Sequence, residues 1–292
     1  MAVVGTGRMG AAMARTLARN DLDVVLWNRD RAKAERLAGD IGAPVAASAA
    51  DAAAKAAIVL TSVADDAALE RVYLGPGGIV EGIAPDAIAV DTSTVDPRTV
   101  QRVGAAVDAA AAGFLDCPVS GSVSTVEAGA LTIMVGGDPA LLDRVRPVVD
   151  ALAQRVIHIG PRGTGAATKL AVNDLVHGLN VALSEALVLA ERAGVARETA
   201  YEVFASGAAG APFVQYKREA YEHPDTAAVA FSLDLVEKDL DLITALGERV
   251  GAPLKQAQTT LGIVRDAIAA GYGDRDLSQV AVFLRGTDGG RR

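Results

Sequence analysis

The sequence predicts an α/β fold, a Rossmann-type doubly wound sheet followed by an all-α C-terminal domain. Three observations carry this. A short apolar strand runs into a glycine-rich turn and a helix at the start, strand and helix signals alternate as far as residue 160, and beyond it the strand signals cease. Hydrophobic residues make up 51% of the 292 and aromatics only 4%, so alanine, valine and leucine must build an interior of helices and buried parallel strands. The length suffices for two domains with separate cores, and the change of pattern places them at 1–160 and 161–292.

In the first domain, "AVV" at residues 2–4 is a strand, "AAMARTLARN" has the spacing of a helix, and "DVVLWNRD" is a second strand. The opening strand is short, as though a residue or two preceded it. Between strand and helix, Gly5, Gly7 and Gly10 form GxGxxG, with Thr6, Arg8 and Met9 in the same loop. In that placement the motif reads as a dinucleotide site. Gly5 permits the tight turn, Gly7 lets the backbone approach a pyrophosphate, Gly10 lets the helix press on the sheet, and the helix N-terminus faces the anion. Further strands are expected at 57–63, 87–94, 113–120, 131–137 and 155–160. Ligands gather at the carboxyl ends of such strands, which singles out Ser62 and Val63, Thr92 to Thr94, and Ser120, Gly121 and Ser122.

The end of the second strand bears on cofactor choice. An acidic residue there accepts hydrogen bonds from the ribose of NAD and repels the 2′-phosphate of NADP. Here neutral Asn28 holds the position, with Arg29 beside it to meet a phosphate and Asp30 as the one rival carboxylate. NADP is therefore expected over NAD.

The second domain reads as a long helix over 165–193 and others at 197–207, 212–222, 232–250 and 254–271, and the tail "RGTDGGRR" reads as disordered. In the long helix, Lys169, Asn173, His177 and Asn180 follow at spacings of four, four and three and so share one stripe of an otherwise apolar surface. A polar seam on so apolar a helix is expected to be buried. The rest of that helix is too apolar to be covered within five helices, which implies a homodimer or homotetramer.

Other features narrow the function. A net charge of −8 and a pI near 5.0 argue against nucleic acid, and no run of about 20 uncharged apolar residues suggests a membrane span. The single Cys117 excludes an internal disulfide, points to the cytoplasm and reads as a small core residue. His158, His177 and His223 lack metal-ligand spacing, so no metal is expected. His177 reads as a satisfied interior or interface residue. Asp65 and Asp66 read as a helix cap, and Glu237 and Asp239 as surface partners of nearby cations.

Four motifs, "VVGTGRMGAAMARTL", "DTSTVDP", "DCPVSGSVSTVEAGALTIMVGG" and "GTGAATKLAVNDLV", with "FSLDLVEKDLDL" as a fifth, fall in an order and at separations that resemble the β-hydroxyacid dehydrogenase family over nearly the whole chain. That family includes 3-hydroxyisobutyrate dehydrogenases and glyoxylate/succinic semialdehyde reductases. The resemblance implies an NAD(P)-dependent oxidoreductase acting on a small β-hydroxyacid or its semialdehyde. It implies Lys169 as general acid/base, Asn173 as its partner in positioning substrate, Ser120 and Gly121 as the carboxylate-holding loop, and Thr94 and Lys238 as cofactor-lining positions. Many members read SGG where this chain has Ser120, Gly121 and Ser122. The residues agree with that chemistry, because a lysine desolvated on an apolar helix can move the substrate oxygen's proton. Two rivals are an imine reductase, which commonly has aspartate or tyrosine in place of Lys169, and a non-catalytic dinucleotide-binding module.

Overall fold

The computed structural model describes residues 1–287. The chain divides into two compact units, Met1–Leu170 and a second from Ala171 on, so the division falls inside the long helix, ten residues beyond the 160/161 boundary read from the sequence.

The first unit alternates as its sequence predicts. It runs β1 (Ala2–Val4), α1 (Arg8–Arg19), β2 (Val25–Trp27), α2 (Arg31–Ile41), α3 (Ala49–Ala54), β3 (Ile58–Thr61), α4 (Asp66–Leu74), α5 (Ile79–Gly82), β4 (Ile88–Asp91) and α6 (Pro97–Ala109). There follow β5 (Gly113–Asp116), β6 (Val119–Ser120), α7 (Val123–Glu127), β7 (Leu131–Gly136), α8 (Pro139–Leu152) and β8 (Ala153–Gly160). Among the described residues the strands form one sheet in the order β2-β1-β3-β4-β5-β7-β6, with β8 paired to β7. It is parallel from β2 through β5, whereas β7 runs antiparallel to β5 and β6. The sheet is therefore mixed.

Side-chain alternation sends each strand into two cores. Val3, Leu60, Val90 and Leu115 join Met13 and Leu17 on one face, while Val4, Val59, Ala89 and Phe114 join Leu69, Tyr73 and Ile79 on the other. Each fully buried leucine contributes about 1.5–3 kcal/mol. One expected strand, 113–120, is broken in two: Pro118 has no N–H to give a ladder, so regular pairing lapses at Cys117–Pro118 and resumes in β6, which runs along β7 in the register set by Asp116 and Gly136.

The second unit holds the rest of α9 (Thr164–Arg192), then α10 (Arg197–Ser206), α11 (Pro212–Glu222), α12 (Leu233–Val250) and α13 (Lys255–Ala267). The predicted helix 254–271 stops being α-helical at Ala267, where a wide turn over Ile268–Tyr272 includes Gly271 at φ 91°. A 3₁₀ turn at Leu277–Gln279 and α14 (Val280–Gly286) follow, both too short for their periodicity to show in the sequence. The expected disorder of the tail is corrected at its start, since Arg285 lies in the last turn of α14 and donates to both carboxylate oxygens of Glu191 at 2.5 and 3.0 Å. Residues 288–292 lie outside the described residues. Among the described residues no helix is long and apolar enough to cross a membrane.

Candidate active site

The glycine loop is built by two different constraints. Gly5 sits at φ 93°, in the left-handed region, and a Cβ there would stand 2.1 Å from the Ser62 carbonyl oxygen. A Cβ on Gly10 would stand 1.9 Å from the Gly5 carbonyl oxygen, so α1 presses directly on the turn. Around Gly7 there is open space, so packing does not demand a glycine there. What its bareness leaves clear is the N-terminus of α1, which no side chain caps. Thr6 is buried with its hydroxyl lacking a hydrogen-bond partner, while its N–H donates to Asn28 Oδ1 at 3.1 Å. An uncapped helix end and an orphaned hydroxyl in one loop fit a dinucleotide pyrophosphate. Arg8 is exposed and Met9 is half-buried against the core of that face.

At the end of β2, the Asn28 amide donates to the Asp30 carbonyl oxygen at 3.0 Å, so one of its N–H groups braces the turn. Arg29 and Asp30 are exposed, and Asp30 stands at the N-cap of α2 without a side-chain capping bond. At the ends of β3 and β4, Val63 N–H donates to Ser93 Oγ at 3.0 Å, and that hydroxyl donates to buried Asp91 at 2.7 Å. This relay fixes the segment of Ser62 and Val63 beside that of Thr94. Asp65 caps α4 by accepting from Ala68 N–H at 2.7 Å, as its sequence suggests.

Ser120 ends β6 half-buried, and Gly121 follows at φ 145°, where a Cβ would meet Leu131 at 2.7 Å and Thr125 at 2.9 Å. Ser122 acts locally, as the cap of α7. Its hydroxyl accepts from Thr125 N–H and contacts the Ser124 and Thr125 hydroxyls. Cys117 is wholly buried, and burial followed by the Asp116 and Asp91 carboxylates pushes its thiol well above the usual range, which leaves no thiolate nucleophile. Farther along, α9 begins at Thr164 and carries Lys169, partly buried, in its second turn.

Three residues of the polar seam of α9 are buried as expected, Asn173, His177 and Asn180 being only 7%, 3% and 1% exposed, whereas Lys169 at its start is only partly buried. Their partners decide what they do. Asn173 Nδ2 donates to Asp239 Oδ2 at 2.6 Å, and His177 Nε2 lies 3.5 Å from the same oxygen, its ring stacked on Phe231. Lys238 Nζ lies 2.8 Å from Asp239 Oδ1. Asn180 donates to the Leu277 carbonyl oxygen and accepts from Tyr221 OH at 2.6 Å. Asp239 is thus corrected from a surface residue to the buried hub of α12. Burial would raise its pKa, yet the His177 bond and the Lys238 charge outweigh that and draw it down to about 2. Glu237 keeps the expected surface role, accepting from Arg265 at 2.9 Å.

Comparison with known proteins bears on this geometry. Residues 1–160 match the NAD binding domain of 6-phosphogluconate dehydrogenase, and residues 163–284 match the NAD-binding domain of NADP-dependent 3-hydroxyisobutyrate dehydrogenase. Glyoxylate/succinic semialdehyde reductase 1 of Arabidopsis thaliana is 32% identical over 95% of each chain. 2-(Hydroxymethyl)glutarate dehydrogenase of Eubacterium barkeri is 31% identical over 95% of this chain and 92% of its own. The crystal structure of 3-hydroxyisobutyrate dehydrogenase from Salmonella typhimurium superposes with a TM-score of 0.89 at 28% identity, covering 97% of this chain and 98% of that one. The chain belongs to the β-hydroxyacid dehydrogenase family. It is therefore an NAD(P)-dependent oxidoreductase, and the two matched segments account for both halves of its pattern. An imine reductase from Myxococcus stipitatus shares the fold alone, at 20% identity and a TM-score of 0.62.

In this β-hydroxyacid dehydrogenase the glycine loop, Asn28, Arg29, Ser62, Val63 and Thr94 gather at the carboxyl ends of β1 to β4, and Ser120 and Gly121 lie at the end of β6. Sequence reasoning missed the hub role of Asp239, the stacking of Phe231 and the role of Asp116. The signal available for Asp239 was its place in "EKDL", with no hint of burial. Asp116, at the end of β5, is buried and accepts backbone N–H groups from Gly163 and Ala166 at 2.8 Å each.

Proposed function

We propose that this chain interconverts a small β-hydroxyacid and its semialdehyde or oxo acid, prefers NADP, and uses Lys169 as general acid/base. The observation that supports this best is the α9 stripe, where Lys169 stands one helical turn before Asn173 and Asp239 holds the Asn173 amide. Glycine loop and uncapped α1 would hold the pyrophosphate, and the bound nicotinamide supplies or takes the hydride. In the reducing direction the Lys169 ammonium gives a proton to the substrate oxygen as its C=O becomes C–O–H; in the oxidising direction the neutral amine takes that proton back. Asn173, fixed in one orientation, presents its amide to substrate without an ordering cost at each turnover. Ser120 and Gly121 offer a hydroxyl and a backbone N–H to a carboxylate, with Ser122 shaping the loop as the cap of α7. The curated relatives are named for acids, and an L-serine complex is known for the Mycobacterium tuberculosis 3-hydroxyisobutyrate dehydrogenase, 29% identical to this chain.

NADP preference rests on Asn28 and Arg29: no carboxylate ends β2 itself, and exposed Arg29 can meet a 2′-phosphate in a charge-assisted contact. A second copy of the chain is the partner we assign to α9, whose outward stripe of Ala171, Leu175, Ala182, Glu185 and Leu189 is exposed with one charge in it. The lone buried thiol suits a reducing, cytoplasmic setting.

One experiment tests the reading: a panel of small 3-hydroxy acids, semialdehydes and 2-oxo acids, assayed with NADPH, NADH and their oxidised forms on wild type, Lys169→Ala and Arg29→Ala. Lys169→Ala should lose about 10²- to 10⁴-fold in kcat with cofactor binding intact. Arg29→Ala should raise the KM for NADPH and leave that for NADH alone. Wild-type turnover by Lys169→Ala removes the assignment of the lysine, and equal efficiency on an acid and its neutral counterpart removes that of the carboxylate loop.

A further inference from the structure

Asp116 is a buried carboxylate for which hydride and proton transfer have no direct use. It is 1% exposed, and its two oxygens divide their work: Oδ1 accepts from Gly163 N–H and Oδ2 from Ala166 N–H, each at 2.8 Å. Those amides flank the first turn of α9, so one side chain seats the start of a 29-residue helix and meets its positive end with a negative charge. The fit is close on both sides. A Cβ on Gly136 would stand 2.5 Å from Asp116 Oδ1, and a Cβ on Gly165 would stand 2.7 Å from the Asp116 and Met134 carbonyl oxygens and 2.8 Å from Asp116 Oδ2. Two glycines are needed to let strand and helix approach this carboxylate.

Position along the chain gives the contact its meaning. Ser120 and Gly121 follow Asp116 by four and five residues, and Lys169 follows Ala166 by three, about 4.5 Å along the helix. We propose that Asp116 is a positioning residue that sets the Lys169 ammonium against the Ser120–Gly121 loop by locking the first turn of α9 to the end of β5. This rests on Lys169 as the proton donor. A carboxylate supplies two acceptors for two N–H groups and cannot slip by half a turn, whereas an amide in its place offers one acceptor and turns an N–H toward an N–H. Proton transfer is sensitive to displacements well under the size of an atom, and an error of about 1 Å costs on the order of 10²-fold.

The test is a double-mutant cycle between Asp116→Asn and Lys169→Ala, read as kcat and as NADPH affinity by fluorescence titration, with melting curves to certify folding. Asp116→Asn is expected to lower kcat roughly 10- to 100-fold with NADPH affinity unchanged, and to have little further effect in the Lys169→Ala background, measured on the residual rate at high enzyme concentration. Gly165→Ala, which unseats the helix while keeping the carboxylate, should behave likewise and serves if Asp116→Asn does not fold. An unchanged kcat, or an equal loss with and without Lys169, overturns the inference and leaves the Lys169 reading standing. Wild-type turnover by Lys169→Ala alone is the separate result that removes that reading and this inference with it. Failure of both Asp116→Asn and Gly165→Ala to melt cooperatively or bind NADPH makes the contact a folding requirement and also overturns it.

Discussion

Asp91 shows how far a single buried group can be driven from its ordinary chemistry. It is 1% exposed, Oδ1 accepts from Ser93, and Oδ2 has no hydrogen-bond partner. Burial pushes its pKa up to about 7, the Ser93 bonds hold it down, and the carboxylates of Asp116 and Asp66 add to the rise. A carboxyl whose folded pKa is raised favours folding when protonated. Its contribution is complete below the unfolded value of about 3.9 and is lost as pH climbs toward the folded one, after which it stays constant. Asp91→Asn keeps the acceptor for Ser93 and removes the titration, so its melting temperature relative to wild type should rise from pH 5 to pH 8. A difference independent of pH shows that Asp91 is ionised in the folded protein throughout. Asp239 has the opposite sign: drawn down to about 2, it stabilises above the unfolded value and loses that contribution as the solution is acidified toward pH 2.

At the scale of the element, the strand-turn-helix of β1 and α1 separates two reasons for glycine that the motif writes identically. Gly10→Ala forces a carbon to within 1.9 Å of a backbone oxygen, so stability should fall by about 1–3 kcal/mol or more, visible as a lower Tm without cofactor. Gly7→Ala meets nothing within 4 Å, and its extended φ of −68° suits alanine, so Tm should hold while NADPH affinity drops. Unchanged NADPH affinity in Gly7→Ala would refute the assignment of that loop to the pyrophosphate. The spacing of the three glycines was legible in the sequence. Which of them packing requires depends on the Ser62 carbonyl and the return of α1 onto the turn, and those are tertiary facts.

For the whole molecule, the question is what covers α9. Leu175 and Leu189 are 75% and 72% exposed, and with Ala171, Ala182 and Glu185 they recur at intervals of three, four and seven along one side of the helix. Small and apolar residues at that spacing let a second helix approach closely. Leu175→Glu combined with Leu189→Glu should reduce the mass seen by light scattering from a multiple of 29.8 kDa toward 29.8 kDa, with NADPH binding retained by the first unit. A wild-type mass of 29.8 kDa, or an unchanged multiple in the variant, removes this face as the interface.

By itself, the sequence determined what local periodicity and turn chemistry encode. Alternating apolar runs marked strands, four-and-three spacing marked the seam of Lys169, Asn173, His177 and Asn180, and glycines marked the dinucleotide turn. The tertiary structure alone decided the partners of the polar groups. Asp116 meets amides 47 and 50 residues away, and Asn173 meets Asp239 at a separation of 66. No repeat of two or 3.6 residues extends over such distances, so an aspartate destined for a buried hub and one destined for solvent look alike until the chain has folded.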